Sequence, residues 1–208
     1  MSDMIRTILC LVLGYLLGSI PFALVIGKLI FRTDVREHGS GNLGGTNAGR
    51  VLGKKVGIAV ILLDALKVVL AVGVASHVSP VTAIWTGLAC CVGHCFPIFA
   101  GFKGGKAVAS TFGFLLSSWI FIFHNAWMLI IPLLMFFIIL YLFKFVSLAS
   151  ICAVLASSFT IMTSLNIANI DHLLMILASW FMTILVITRH HSNIDKIKNG
   201  NENTIHWL

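Results

Sequence analysis

Seven apolar stretches follow one another along this chain, at 4–31, 56–78, 81–101, 107–123, 125–143, 145–164 and 170–188. A helix needs roughly 20 apolar residues to cross a bilayer, with about 17 as the short limit. Backbone inside hydrocarbon must satisfy its own hydrogen bonds, so stretches of this kind are restricted to spanning helices. The mean hydropathy of +1.02 and a charged fraction of 10%, against roughly 25% in soluble domains, exclude a soluble globular domain and a disordered chain. The expected fold is an all-α integral membrane protein, one domain over 1–208 with seven transmembrane helices. Pro132 falls inside the fifth span, where membrane helices accept it. The first stretch continues past Pro21 to Phe31 with no small-residue cleavage site, so it reads as a span and not as a signal peptide.

The connecting segments carry the charge asymmetrically. Lys28, Arg32, Arg36, Arg50, Lys54 and Lys55 follow the first span, Lys103 and Lys106 the third, Lys144 the fifth, and Arg189, Lys196 and Lys198 the seventh. Those segments lie on one face if all seven stretches span, and they hold twelve of the 14 basic residues. By the positive-inside rule that face is cytoplasmic, which puts the amino terminus outside and the carboxyl terminus inside. The net charge of +7 is thereby explained by topology and by anionic ligands, without nucleic acid. Cys10, Cys90, Cys91, Cys95 and Cys152 lie in apolar runs without ligand spacing and read as small buried hydrophobes; no metal site is expected.

Apolar content does not account for the first cytoplasmic loop, 36–50, which has five glycines in fifteen residues. Glycines free backbone N–H groups from side-chain obstruction and suit a loop that closes on an anion. Gly41 and Gly44 provide such backbone, Ser40, Asn42 and Asn47 add donors, and Arg50 offers a planar fork for phosphate. The second loop repeats the pattern: Lys103 and Lys106 flank Gly104 and Gly105 just before the fourth span, whose helix amino terminus adds partial positive charge. The third segment begins at the exit of the seventh span with His190 and Asn193 one helical turn apart, and histidine exchanges protons near neutral pH. Taken alone, this segment also reads as a basic tail on anionic headgroups.

Some familiar patterns fail on context. Gly39 to Gly44 fits the dinucleotide fingerprint by letter but follows a membrane helix in place of a strand, and Gly101 to Lys106 is one residue short of a P-loop, with Ala107 where Ser or Thr is required. His190 and Asp195 reproduce a His-x4-Asp spacing used by another acyltransferase class, a match of two common residues. Asp64 and Lys67, three apart inside the second span, are costly in hydrocarbon and read as a mutually paired or cavity-facing couple.

Together the three polar segments resemble the bacterial acyl-phosphate:glycerol-3-phosphate acyltransferases. The matching pieces are Gly39-Ser40-Gly41-Asn42 with Thr46-Asn47 and Arg50, Gly93-His94 with Phe96-Pro97 and Phe102-Lys103-Gly104-Gly105-Lys106, and His190-x-x-Asn193-Ile194 with Gly200-x-Glu202. The resemblance implies an enzyme of the bacterial inner membrane with its site at the cytoplasmic face. It would transfer a fatty acyl group from acyl phosphate to the 1-hydroxyl of glycerol 3-phosphate, giving lysophosphatidic acid and phosphate. No cofactor and no stable protein partner are implied. Ser40, Arg50, Gly104, Gly105, Lys106, His190 and Asn193 correspond to residues that serve activity in such enzymes. The chain departs from the common pattern at Gly45, where alanine is frequent, and at Val68 and Ala107, where glycine is.

The required chemistry fits these residues. An acyl phosphate is an activated mixed anhydride, so no acyl-enzyme is needed, and the demand is to hold two mutually repelling phosphorylated reactants in register. Ser40, the first glycine loop and Lys106 are expected to cradle phosphate and Arg50 to clamp it. His190 and Asn193 would orient the hydroxyl, with the proton taken by His190 or by the donor phosphate. A phosphate or organophosphate carrier is the alternative, but carriers place their sites near the bilayer midplane with internal repeats, and none is evident here. A non-catalytic binder of acidic lipid would explain the basic loops but not their glycines and asparagines.

Overall fold

Runs of apolar residues interrupted by glycine, proline and short polar turns fold here as helices, in a computed structural model describing residues 2–205. No strand occurs among the described residues. The chain forms two compact units, one up to Ile122 and one from Phe123 onward.

The first unit comprises α1 (Asp3–Gly18), α2 (Phe22–Phe31), α3 (Gly45–Leu52), α4 (Lys54–Ser76), α5 (Pro80–Cys95) and α6 (Val108–Ser118). A 3-10 turn at Ile98–Ala100 follows α5, and α6 runs into a π-helical turn at Trp119–Phe123. The stretch 4–31 was expected to be one span, but it is broken, with α1 and α2 at 45° to each other. Pro21 lacks an N–H and its ring disfavours helical backbone at Ile20, so the ladder stops there. The start of α5 is sharper than propensity alone would make it. The Ser79 hydroxyl accepts from the Thr82 N–H at 3.0 Å, and Pro80 occupies the first helical position, where a missing N–H costs nothing.

Small residues set how closely the helices approach. A Cβ on Gly113 of α6 would lie 2.9 Å from the Ala65 Cα of α4, and one on Gly57 of α4 would lie 2.6 Å from the Gly49 Cα of α3. Such close backbone contact replaces the hydrophobic drive that helices lack in lipid. The outward faces are apolar, as a bilayer requires: Leu62, Leu66, Leu70 and Val74 form an exposed i, i+4 stripe along α4.

The second unit contains α7 (Trp127–Phe143), α8 (Val146–Ser164), α9 (Ile170–Arg189) and α10 (His191–Lys198). Thr183 joins α9 to α8, with its Oγ1 2.9 Å from the Val154 carbonyl and 2.8 Å from the Ser158 hydroxyl. The Asn169 side chain caps α9, its Oδ1 accepting from the Asp171 and His172 N–H groups.

Four helices are long and apolar enough to cross a membrane: α4, α5 with its 3-10 extension, α8 and α9. The bent pair α1–α2 is a fifth only if its two helices together form one span, and the apolar segments Val108–Phe123 and Trp127–Phe143 are shorter. All seven stretches read from the sequence are therefore helical, while α3 and α10 are additional short helices in segments read as polar connections.

Candidate active site

The first loop is built around one buried side chain. Asn47 projects from α3 and is 1% exposed. Its Oδ1 accepts from the Ser40 N–H at 2.8 Å, and its Nδ2 donates to the Val35 and His38 carbonyls at 2.9 and 3.2 Å. Asn42 makes a similar local bond, its Oδ1 accepting from the Gly44 N–H at 2.9 Å. Positive φ at Gly39 (62°) and Gly41 (68°) lets the chain fold over Asn47, and a Cβ at Gly39 would strike the Asn47 Oδ1. The expected donor role of Asn47 is thus occupied by the loop backbone. The Ser40 side chain and Arg50, in the last turn of α3, are exposed, and Arg50 has no ion-pair partner among the described residues. An open concavity of about 430 Å³ is lined by Thr33, His38, Gly39, Arg50 and Val51.

Charge stiffens the base of this loop. The Asp34 carboxylate receives the Arg36 guanidinium at 2.9 and 2.6 Å and lies 3.2 Å from the Lys28 ammonium. Hydrogen bonds from Arg36 hold the Asp34 carboxyl well below the ordinary carboxylate range, and the same pairing raises the Arg36 guanidinium further.

The second loop is drawn against the end of α5. The N–H groups of Gly104 and Gly105 donate to the Cys95 and His94 carbonyls at 3.2 and 3.0 Å. A Cβ at Gly104 would meet those carbonyls and the Pro97 ring, and one at Gly105 would meet the His94 imidazole. The glycine pair is therefore required by close approach, and its two N–H groups are turned to protein carbonyls. Lys103 is exposed and Lys106 part-buried. Ala107, where the resemblance favours glycine, caps α6 in left-handed conformation at φ 58°. Gly45, where the resemblance favours alanine, sits so close to Ile61 and the Gly57 carbonyl that a methyl there would need Ile61 to move.

The structure brings these two loops together. Val35 and Leu43 of the first loop, Ala48 of α3 and Ala100 of the second loop share one buried apolar cluster with Ala23, Leu24 and Val60. Ser40, Arg50, Lys103 and Lys106 consequently belong to segments packed at one end of the first unit.

Beneath them lies a buried trio. The Lys67 ammonium donates to Asp64 Oδ1 at 2.8 Å and to the Ile20 carbonyl at 3.1 Å, and His94 Nδ1 lies 3.1 Å from that ammonium and 3.3 Å from Asp64 Oδ1. Asp64, Lys67 and His94 are 1%, 3% and 7% exposed. The paired reading of Asp64 and Lys67 holds, with His94 as a third member that their sequence spacing does not suggest.

In the second unit, His190 is buried at the corner between α9 and α10. Its Nδ1 lies 2.7 Å from the Val186 carbonyl, which can only accept, so Nδ1 carries a proton and Nε2 is the basic nitrogen of the neutral ring. One turn on, the Asn193 N–H donates to the His190 carbonyl at 2.9 Å, and the Asn193 Nδ2 donates to Glu202 Oε1 at 2.7 Å. Ser147 donates to the same oxygen at 2.8 Å, while the buried Oε2 has no hydrogen-bond partner among the described residues. Ser147 was not expected as a site residue, and Glu202 only as part of a motif. The one sequence signal for them is the Gly200-x-Glu202 spacing. No group of three or more His, Cys, Asp or Glu among the described residues could hold a metal.

Comparison with known proteins gives the family of the chain. The family profile described as glycerol-3-phosphate acyltransferase matches residues 8–200, across both units. A glycerol-3-phosphate acyltransferase of Bacillus subtilis (strain 168) is 45% identical over 202 residues, covering 96% of this chain and 98% of that protein. One of Streptococcus pneumoniae (strain Hungary19A-6) is 43% identical over 209 residues, covering 97% and 94%. The crystal structure of PlsY (YgiH), an integral membrane glycerol 3-phosphate acyltransferase, in its glycerol 3-phosphate form superposes with a TM-score of 0.87 at 32% identity, covering 97% of this chain and 96% of that one. Its lysophosphatidic acid form gives 0.84 at 31% identity with the same coverage. The chain belongs to the glycerol-3-phosphate acyltransferase family.

Proposed function

We propose that this protein transfers a fatty acyl group from an acyl phosphate to the 1-hydroxyl of glycerol 3-phosphate, releasing lysophosphatidic acid and inorganic phosphate. The hydroxyl oxygen forms the new ester bond to the acyl carbon, the bond from that carbon to the phosphate oxygen breaks, and the hydroxyl proton leaves with phosphate or through His190. The observation that carries this reading is the meeting of two glycine-rich cationic loops on one apolar cluster in the first unit. A site for two phosphorylated reactants needs several cations close together, since each reactant repels the other.

In this reading Arg50 clamps a phosphate bidentately while Ser40, with Gly41, Asn42, Gly44 and Asn47 shaping its loop, hydrogen-bonds it. Lys103 and Lys106 supply further positive charge on a path set by Gly104 and Gly105. His190 and Asn193 orient the attacking hydroxyl, and Glu202 fixes the Asn193 amide. All seven apolar stretches span the bacterial inner membrane, with the amino terminus outside and these polar segments on the cytoplasmic side, where the excess of Lys and Arg supports them.

The test is direct. Purified protein in detergent is supplied with glycerol 3-phosphate and either palmitoyl phosphate or palmitoyl-CoA. Lysophosphatidic acid together with stoichiometric phosphate is expected from the first donor alone. Turnover with palmitoyl-CoA and none with palmitoyl phosphate would refute the donor assignment. A tag map placing Ser40 and His190 in opposite compartments would refute the shared site.

A further inference from the structure

Three ionisable side chains are buried where hydrocarbon makes them expensive, and none belongs to a segment proposed to touch substrate except through His94. Asp64 lies ten residues into α4, about 15 Å along its axis. The Lys67 ammonium donates to Asp64 Oδ1 and to the Ile20 carbonyl, and it lies 3.1 Å from His94 Nδ1, itself 3.3 Å from Asp64 Oδ1. Each of these partners belongs to a different structural role. Ile20 lies at the Pro21 break, directly before α2, and the Lys67 ammonium also lies 5.6 Å from the centroid of the Phe22 ring at the start of α2. Helix α2 leads into the first loop. His94 is at the end of α5, and its ring lies against Gly105, two residues from Lys103 and one from Lys106. His94 Nδ1, 3.1 Å from the Lys67 ammonium and 3.3 Å from Asp64 Oδ1, holds the ring in one orientation against Gly105.

We infer that Asp64, Lys67 and His94 are positioning residues that tie both substrate loops of the first unit to one buried reference point. Lys67 fixes the angle of α2 through Ile20 and Phe22, and it fixes the seat of the second loop through the His94 ring. Asp64, 2.8 Å away, supplies the opposite charge that a buried ammonium needs as partner. The trio thereby sets the distance between the Arg50 loop and Lys106. This inference rests on the acyl-transfer reading for its consequence, while the geometry it predicts is measurable without substrate.

Two experiments test it. The first replaces the ion pair by apolar side chains, Asp64→Leu with Lys67→Met. Exchange of a buried pair for hydrophobic groups of similar volume often leaves stability unchanged, so a purely structural couple would keep both melting temperature and activity. The expected result is a wild-type melting temperature, faster amide exchange at residues 103–106 in the absence of substrate, and a loss of about 10²-fold in kcat, the scale of a misplacement near 1 Å. The second is a cycle of Gly105→Ala and His94→Ala. The methyl in the first variant strikes the imidazole and the second variant removes that imidazole. The double variant is therefore expected to be no slower than the slower single one.

Wild-type kcat and wild-type exchange in the ion-pair replacement would overturn the inference, as would losses that multiply in the cycle. If the ion-pair replacement does not fold, the cycle decides. If the unmodified protein makes no lysophosphatidic acid, the acyl-transfer reading fails, and the exchange measurement, in both the ion-pair replacement and the Gly105 and His94 variants, still decides the positioning role.

Discussion

Replacing Asn47 by alanine should open the first loop without touching its cations. The side chain is buried and makes three hydrogen bonds to backbone, accepting from Ser40 and donating to Val35 and His38. Each such bond contributes roughly 1 kcal/mol net, and the bond to Val35 is fully buried, so its carbonyl would be left without a partner. Water can reach the part-buried pair and recover some of the loss. The variant should therefore lower the free energy of loop opening by about 2–3 kcal/mol, which raises the open population roughly 30- to 150-fold. Amide exchange read by mass spectrometry over 35–44 measures this, and the Ser40 N–H is the most direct reporter. Asn47→Asp sharpens the test, because it keeps an acceptor for Ser40 while setting carboxylate oxygen against the Val35 and His38 carbonyls. It should open the loop at least as far as alanine does, with a matching rise in KM for glycerol 3-phosphate. Wild-type exchange at Ser40 in the alanine variant would refute the latch. A large activity loss with unchanged exchange would instead return Asn47 to direct contact with substrate.

Arg50→Lys should lower kcat/KM by about tenfold or more, because a point ammonium cannot reproduce a bidentate fork, and unchanged kinetics would remove the clamp from the site. Ala107→Gly should raise stability by about 0.5–1 kcal/mol, since a left-handed alanine carries a steric cost that exceeds the extra chain entropy of glycine; a lower melting temperature in detergent would count against this. The unfolded chain protonates Asp34 near pH 3.8, and the folded loop does so only at lower pH. The contribution of Asp34 is therefore complete above about pH 4 and is lost as pH falls through the folded value. Asp34→Asn should flatten the acid limb of the melting curve, and identical limbs for both proteins would show that Arg36 and Lys28 do not hold this carboxylate.

Much of the helix plan is legible along the chain because the solvent for these helices is uniform. Every apolar run of sufficient length must become a helix, whatever its neighbours do. Pro21 is visible in the sequence, yet the reading at 4–31 continued through it, since proline is tolerated in membrane helices when neighbouring groups take up the interrupted backbone. At the Ile20 carbonyl that group is Lys67, 47 positions away in sequence. Helix α3 was missed for a related reason. Gly45, Gly49 and polar neighbours argue for a loop by propensity, and only contact with Gly57 of α4 makes their lack of side chains an advantage. The polar segments stood out because an apolar background leaves few reasons for glycine, asparagine and arginine to cluster. Their division of labour did not, because the sequence cannot say whether a buried amide faces a ligand or its own loop.

The amino-acid sequence alone determined that this is a helical membrane protein, where its apolar stretches begin and end, and which polar segments stand out from them. These are consequences of local composition, set by the transfer of each stretch from water into lipid. Tertiary structure alone decided that Asn47 latches the first loop, that His94 joins Asp64 and Lys67, that Ala100 seals the second loop against the first, and that Ser147 and Asn193 meet on Glu202. Each depends on a hydrogen bond or a close contact between residues far apart in the chain, and such contacts exist only once the helices have packed.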